Sequence, residues 1–438
     1  MHHRRRSRGA DGRALIALTM SGRHLLLILV LLLPLVAVKN FEPQLPTAPA
    51  LAPIVMPLPD IPGDVWQRRG EVLHREVYAD APLEDRGSVV GEAWRAVYTS
   101  VSGTDGQSRE VSGAFFVPRG VPPEAGWPVI SLAHGTTGVG INCGPTRQPD
   151  MEGYGPIVES LLASKYAVAM TDYEGLGDQG VHPYLEPRTA AFNTIDAVRA
   201  MREIAPNVST RWIGVGYSQG GQAVWAANEL NDFYGADLEL QGSVALAPAA
   251  NVTGAVDLAL SRSMTDEQRA LFPLMIVGLL RYSPDLDEDA FLRGDAQSEA
   301  AGLRQCGVST GQSPYDKPRM FPWQRFIDRI RESNDVRPET AEDADALREA
   351  LRKVALPQRP LQAPMLVVTG LLDALLLASW VETAVEQSCA LGGRIEYVEV
   401  PNAGHQDILW RRSDLVAHWI ADRFAGLAAP TNCPADDE

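Results

Sequence analysis

Gly216-Tyr217-Ser218-Gln219-Gly220-Gly221 follows directly on the apolar run Trp212-Ile213-Gly214-Val215. A serine in G-x-S-x-G, between a buried strand and a helix expected over Gln222–Asp232, is placed as a nucleophile on a tight elbow. The glycines at 216 and 220 have a mechanical task. The serine backbone is forced into a strained conformation, neighbouring chain passes close by, and side chains there would clash. The hydroxyl then stands clear of the sheet at the positive end of the helix. The pattern alone is frequent by chance; its place between strand and helix gives it weight.

Such a serine needs a base and an orienting acid, which on this scaffold follow in the order Ser, Asp, His. Pro364–Gly370 reads as a parallel core strand, with Asp373 just beyond it. A helix over Ala378–Leu391 and a strand over Arg394–Val400 lead to Pro401-Asn402-Ala403-Gly404-His405. Side chains at the carboxyl ends of parallel strands converge on one edge of the sheet. His405 is therefore expected as general base and acid, and Asp373 as the group that orients the imidazole and stabilises its cation.

Other candidates have plainer readings. His418 falls inside a helix expected over Ser413–Phe424, and Asp407 is too local to reach the far nitrogen of His405, which leaves it as a loop or cap residue. His2, His3 and His24 precede the fold, and His74 lies in a poorly patterned stretch. Asp172 and Glu174 follow a strand over Tyr166–Met170, where acidic residues more often fix turns or cap helices. The oxyanion hole is expected from the backbone N–H of Gln219 and from the turn after the strand Pro128–Ala133, with Thr136 favoured and Thr137 second. His134 in that turn is read as a brace.

These residues require an α/β architecture, a mostly parallel sheet buried by helices on both faces. A chain of 438 residues with 45% hydrophobic composition has the material for it. After the strand Gly242–Ala247 the next core strand starts only at Pro364, too far for a plain crossover. Helical periodicity runs through Ala270–Arg281, Trp323–Ser333 and Thr340–Val354, with Thr340-Ala-Glu-Asp as a capping start. Residues 251–360 are thus expected to form a helical cap over the site, between catalytic segments 64–250 and 361–438. Its apolar run Leu271–Leu280 fits a packing face or an acyl tunnel.

The N-terminus is a separate object. Six arginines precede Leu25–Val38, an aliphatic run of 14 residues, shorter than a membrane-spanning helix needs. Residues 1–39 are read as a secretory signal or retained anchor, with export and removal favoured and Met20 as an alternative start. Residues 40–63, rich in proline and alanine, are expected to form an extended tether without packed structure. Residues 1–39 carry seven Lys and Arg against one Asp, so a net charge of −16 leaves −22 on the remainder. A body that acidic is repelled by nucleic acid and by anionic membranes at long range. Four cysteines in an exported chain suit disulfides, and their separations match no zinc motif. Asn207-Val-Ser and Asn251-Val-Thr match the glycosylation sequon, a pattern short enough to occur by chance.

The His134-Gly-Thr-Thr-Gly turn with Cys143-Gly-Pro, Thr171-Asp-Tyr-Glu-Gly with His182-Pro-Tyr-Leu, and Gly216-Tyr-Ser-Gln-Gly-Gly occur in that order. Together they resemble the secretory lipases, the group containing fungal lipase A, from about residue 64 to the C-terminus. The resemblance implies an α/β-hydrolase with a helical cap, acting outside the cytoplasm on carboxylesters, commonly acylglycerols, without metal or cofactor. It also implies two disulfides, Cys143 with Cys306 and Cys389 with Cys433. Two departures stand out: fungal members carry an acidic residue in the oxyanion region, and the sequence around Asp373 is here unusually leucine-rich. The expected protein is an exported serine carboxylester hydrolase or lipase in the secreted or cell-envelope space, with a small lipid or ester substrate and transient contact with a lipid interface. An acyltransferase with the same triad and a non-catalytic envelope binding protein are the alternatives; a peptidase fits less well.

Overall fold

The computed structural model describes residues 45–84, 86–177, 180–297 and 335–434. The expected signal segment, the helix over Trp323–Ser333 and Cys306 lie outside the described residues. Nine strands form one sheet: β1 (Val72–Val77), β2 (Val90–Val101), β3 (Ser108–Pro118), β4 (Trp127–Ala133), β5 (Ala167–Thr171), β6 (Val208–Tyr217), β7 (Glu239–Leu246), β8 (Met365–Gly370) and β9 (Ile395–Val400). Their spatial order is 1-2-3-5-4-6-7-8-9. From β5 to β9 every pairing is parallel, whereas β1, β2 and β3 are joined antiparallel. β4 and β5 run outward from the middle before β6 to β9 build the other side. This reversal opens a crevice at the carboxyl ends of β4 and β6.

Eight helices matter for the site: α1 (Gly155–Ala163), α2 (Pro187–Ile204), α3 (Gln219–Glu229), α4 (Ala255–Ser261), α5 (Asp266–Leu279), α6 (Ala341–Val354), α7 (Ala378–Ala390) and α8 (Ser413–Phe424). The pleat of the sheet sends alternate residues to opposite faces. Val129 and Ala133 join the core beneath α2, α3 and α7, while Ile130 and Leu132 join the core beneath α1 and α8. Burial on both faces explains the near-continuous apolar runs of β4, β5 and β8.

Helices α4, α5 and α6 lie within the segment expected as a cap and share a separate apolar core with Trp380 of α7. Thr265 and Thr340 each make a full capping box, with Gln268 and Asp343. Thr265 Oγ1 also donates to the Ala374 carbonyl (2.7 Å), and Gln268 Nε2 to that of Leu375 (3.1 Å). The start of α5 is thereby clamped to the loop that carries Asp373.

The expectation of an unpacked tether before residue 64 is corrected for its described part. Residues 45–59 are extended, as their prolines require, yet held along their length. Prolines 53, 57 and 59 lack N–H donors, so the segment cannot join a sheet ladder and its carbonyls take side-chain donors instead. Arg352 Nε donates to Ala52, Arg188 to Pro57 and Arg359 to Met56, while the Ile54 N–H donates to the Arg352 carbonyl (2.8 Å). Of the two sequons, Asn207 is exposed, whereas Asn251 is buried with its amide donating to the Leu51 carbonyl (2.8 Å). Cys389 at the end of α7 is bonded to Cys433 with Cα atoms 5.4 Å apart. A link closing 44 residues of sequence contributes about 2–4 kcal/mol by restricting the unfolded chain.

Candidate active site

Ser218 sits between β6 and α3 with φ 57° and ψ −116°, in the left-handed region that a side-chain-bearing residue rarely adopts. Close chain contacts hold it there. Its N–H donates to the Leu246 carbonyl (2.8 Å), and its own carbonyl accepts from Gln222 (3.2 Å) and Ala249 (3.0 Å). A Cβ on Gly216 would fall 2.0 Å from the Gly220 carbonyl oxygen, and one on Gly220 would fall 1.9 Å from that of Ala133. The helix begins at Gln219, three residues earlier than the sequence suggests, because the paired glycines are its contact surface and not its breakers. Gly220→Ala is expected to cost about 1–3 kcal/mol by overpacking and to lower activity in the fraction that folds. Thermal denaturation beside an ester assay checks this; a melting point equal to the parent's would contradict the close approach.

The structure brings together the three residues the sequence singles out. His405 Nε2 lies 3.0 Å from Ser218 Oγ, and His405 Nδ1 lies 2.7 Å from Asp373 Oδ2. A carboxylate only accepts, so Nδ1 carries a proton and Nε2 presents its lone pair to the hydroxyl. Asp373 is fully buried, and its other oxygen accepts from the N–H groups of Leu375 (2.9 Å) and Leu376 (2.8 Å). The leucine-rich acid loop therefore supplies amides that sustain a buried anion. Tyr217 packs against the His405 ring at 5.0 Å between centroids. Glu267, in the first turn of α5, lies near the same imidazole: burial raises its carboxyl, and an imidazolium at His405 acts in the opposite direction.

Among the described residues, the backbone N–H groups of Gln219 and Thr136 have no hydrogen-bond acceptor. The 134–137 turn reaches α3 because Gly220 touches the carbonyls of Ala133 and His134. It is braced from several sides. The Gly135 N–H donates to Tyr154 Oη (2.7 Å), Tyr173 Oη donates to the His134 carbonyl (3.0 Å), and Thr136 Oγ1 pairs with Tyr184 Oη (2.8 Å). His134 is buried, donates from Nδ1 to the Gly135 carbonyl (2.6 Å) and packs against the Tyr173 ring at a tilt of 40°. It does not touch Ser218 or His405 by hydrogen bond. The N–H of Thr137 is the second candidate, and the hydroxyl of that residue is buried without a partner among the described residues.

Nothing in the sequence marks His182 as a site residue, yet it supports Gln219 directly. Its Nδ1 donates to the Glu174 carbonyl (2.7 Å), which leaves Nε2 to accept from Gln219 Nε2 (2.5 Å). Burial pushes the His182 pKa down to about 3, so the ring stays a neutral acceptor at all higher pH. Asp172 and Glu174 prove structural. Asp172 accepts from Ser112 Oγ, Thr146 N and Thr146 Oγ1, while Glu174 pairs with Arg109 (3.0 Å). Asp407 accepts from the Gly404 N–H (2.8 Å), and His418 bonds the Asp414 carbonyl within α8.

Beside Ser218 lies an apolar cavity of about 50 Å³, walled by Phe272 and Met275 of α5, Leu375 and Leu376 of the acid loop, Tyr184 and Trp380. A larger cavity of about 290 Å³, between residues 56–59, Arg188 and Lys353, contains none of the three site residues. Among the described residues no helix is long and apolar enough to cross a membrane.

The family model of the secretory lipases matches residues 151–432. A protein of Mycobacterium tuberculosis, named a probable inactive lipase, is 24% identical over 273 residues, 62% of this chain and 58% of that protein. A secreted triacylglycerol lipase of Malassezia furfur is 26% identical over 190 residues, 42% of this chain and 34% of that protein. The chain thus spans well under two thirds of the length of these curated relatives. Candida antarctica lipase A in its closed state superposes with a TM-score of 0.63 at 16% identity, covering 87% of this chain and 89% of that one. The rice cell wall degrading esterase LipA of Xanthomonas oryzae gives 0.62 at 18% identity, covering 82% of this chain and all of that one. At these identities the likeness is one of fold, and that fold is the α/β-hydrolase.

Proposed function

Since the chain belongs to the secretory lipase family, we propose that it is an exported serine carboxylester hydrolase acting on lipid or related esters. The observation that carries this reading is the hydrogen-bonded chain Ser218–His405–Asp373 beside an apolar cavity. Ser218 Oγ attacks the ester carbonyl while its proton passes to His405 Nε2. Asp373 stabilises the imidazolium and keeps its orientation. The N–H groups of Gln219 and Thr136 hold the oxyanion, where fixed donors in a dry site require no reorganisation. As the tetrahedral species collapses, the carbon–oxygen bond to the alcohol breaks and His405 returns the proton to that oxygen. Water then attacks the acyl-serine with His405 again as base, and the carboxylic acid departs.

The cavity sets the acyl preference. Pockets for drug-sized ligands run to roughly 300–1,000 Å³, against about 50 Å³ here. The described cavity suits a short acyl group such as acetyl or butyryl, whereas a palmitoyl chain requires its walls to move. With p-nitrophenyl esters, kcat/KM for butyrate is expected to exceed that for palmitate by about tenfold or more, the effect of even a single methylene that a pocket does not fit. A preference for palmitate and for triglyceride emulsion would show that the cap opens readily and that the activity is that of a lipase.

The name of the Mycobacterium relative favours a second reading, a non-catalytic protein on the same scaffold. Loss of Ser218-dependent turnover on every ester tested would support it. Export rests on the family and on the arginine-led aliphatic N-terminal run.

A further inference from the structure

Trp380 lines the cavity beside Ser218 from the first turn of α7. Its indole is buried and fixed from two sides. On one side Nε1–H donates to the Ala48 carbonyl at 2.7 Å, a contact across 332 residues of sequence. On the other side lies Gly254, where an added Cβ would stand 2.7 Å from Nε1 and 2.9 Å from Cε2. The indole has no room to swing outward past Gly254, and its one polar atom is satisfied by the N-terminal strap.

The strap is anchored at that point by the residues that precede α4. The Leu51 N–H donates to Thr253 Oγ1 (2.6 Å), the Leu51 carbonyl accepts from Asn251 Nδ2 (2.8 Å), and Thr253 Oγ1 donates to Asn251 Oδ1 (2.7 Å). Asn251 and Thr253 are both buried, and neither borders the cavity. Ala48 itself is buried in the apolar core that contains Phe272, Met275, Leu376 and Trp380. A segment whose composition suggests a loose tether is thus built into the back of the site.

We propose that Trp380 is the wall that limits acyl length, and that the strap over residues 48–51 is a specificity element that holds this wall in place. The proposal rests on the hydrolase reading above. The strap lies behind the Trp380 wall and not in the lining of the cavity, so chain-length preference depends on residues that lie far from Ser218 in sequence and do not touch substrate. Shortening Trp380 opens space on the order of 100 Å³, comparable with cavities known to admit small apolar guests. Loosening the strap frees the indole to tilt and admits longer chains without removing any lining side chain.

The test compares the full chain with Trp380→Ala, Trp380→Phe and Thr253→Val on p-nitrophenyl esters from acetyl to palmitoyl. The readout is the ratio of kcat/KM for octanoate to that for butyrate. That ratio is internal to each preparation, so a variant that folds in low yield still reports it, and a general loss of stability lowers both esters alike. Trp380→Ala is expected to raise the ratio by about tenfold or more. Trp380→Phe keeps a ring without the indole donor, and Thr253→Val removes the acceptor for Leu51; both are expected to raise it by less. An unchanged ratio in Trp380→Ala overturns the wall. A shift in Trp380→Ala with none in Thr253→Val or Trp380→Phe overturns the role of the strap. A parent chain with no Ser218-dependent turnover removes the hydrolase reading itself, a result distinct from active variants with an unshifted ratio.

Discussion

Ser218→Ala is expected to reduce kcat for p-nitrophenyl butyrate by about a million-fold, the scale on which loss of a triad nucleophile disables hydrolysis. The alanine fits without disturbing the elbow. Ser218 is held by its backbone, through Leu246, Gln222 and Ala249, and its side chain makes its one hydrogen bond among the described residues to His405. Substrate affinity should survive, because the cavity and the amides of Gln219 and Thr136 remain. The loss should therefore fall on kcat, with KM little changed. Residual catalysis above water comes from the oxyanion donors and from binding. A variant within about tenfold of the parent would mean that another group attacks the ester, since an effect that small is far below what a nucleophile supplies.

Asp373→Asn is expected to lower kcat by about ten-thousand-fold while leaving the fold intact. The reason lies in how the carboxylate is bound. One oxygen accepts from the amides of Leu375 and Leu376, the other from His405 Nδ1. An asparagine must keep its carbonyl toward the two backbone amides, which turns its NH2 toward Nδ1. Two donors cannot face each other, so the imidazole moves its proton to Nε2 and can no longer accept one from Ser218. Steady-state kinetics with a thermal melt as control checks this. A loss below about tenfold would show that the carboxylate does not govern the tautomer, against the effect expected for such a residue.

The fold and the meeting of Ser218, Asp373 and His405 at one sheet edge are legible because their signals are local. Ser218 and Asp373 follow apolar runs that read as buried strands, His405 follows the alternating strand β9, and parallel strands bring their ends to one edge. β8 and α8 fall where the apolar runs place them, Met365–Gly370 and Ser413–Phe424. The antiparallel β1–β3 edge was not legible, because no tight two-residue turn marks it and its pattern mixes exposed and buried positions. The sequence starts α3 three residues late because Gly220 and Gly221 look like helix breakers. Their need for close approach to Ala133 and Pro248 is visible only in three dimensions. The packing of the strap is hidden in the sequence for a related reason. Proline and alanine carry no periodicity, and its partners Arg352, Gln358 and Trp380 lie some 300 residues away. His182 likewise shows no spacing that would tie it to Gln219.

The central claim, that Ser218 is an activated nucleophile, is tested most directly by reacting the full chain with a small alkyl fluorophosphonate and locating the adduct by peptide mass spectrometry. The account predicts a single adduct on the peptide containing Ser218, slowed by p-nitrophenyl butyrate as competitor and absent in Ser218→Ala and His405→Ala. No adduct in a folded parent chain, or one carried by another serine, would contradict it.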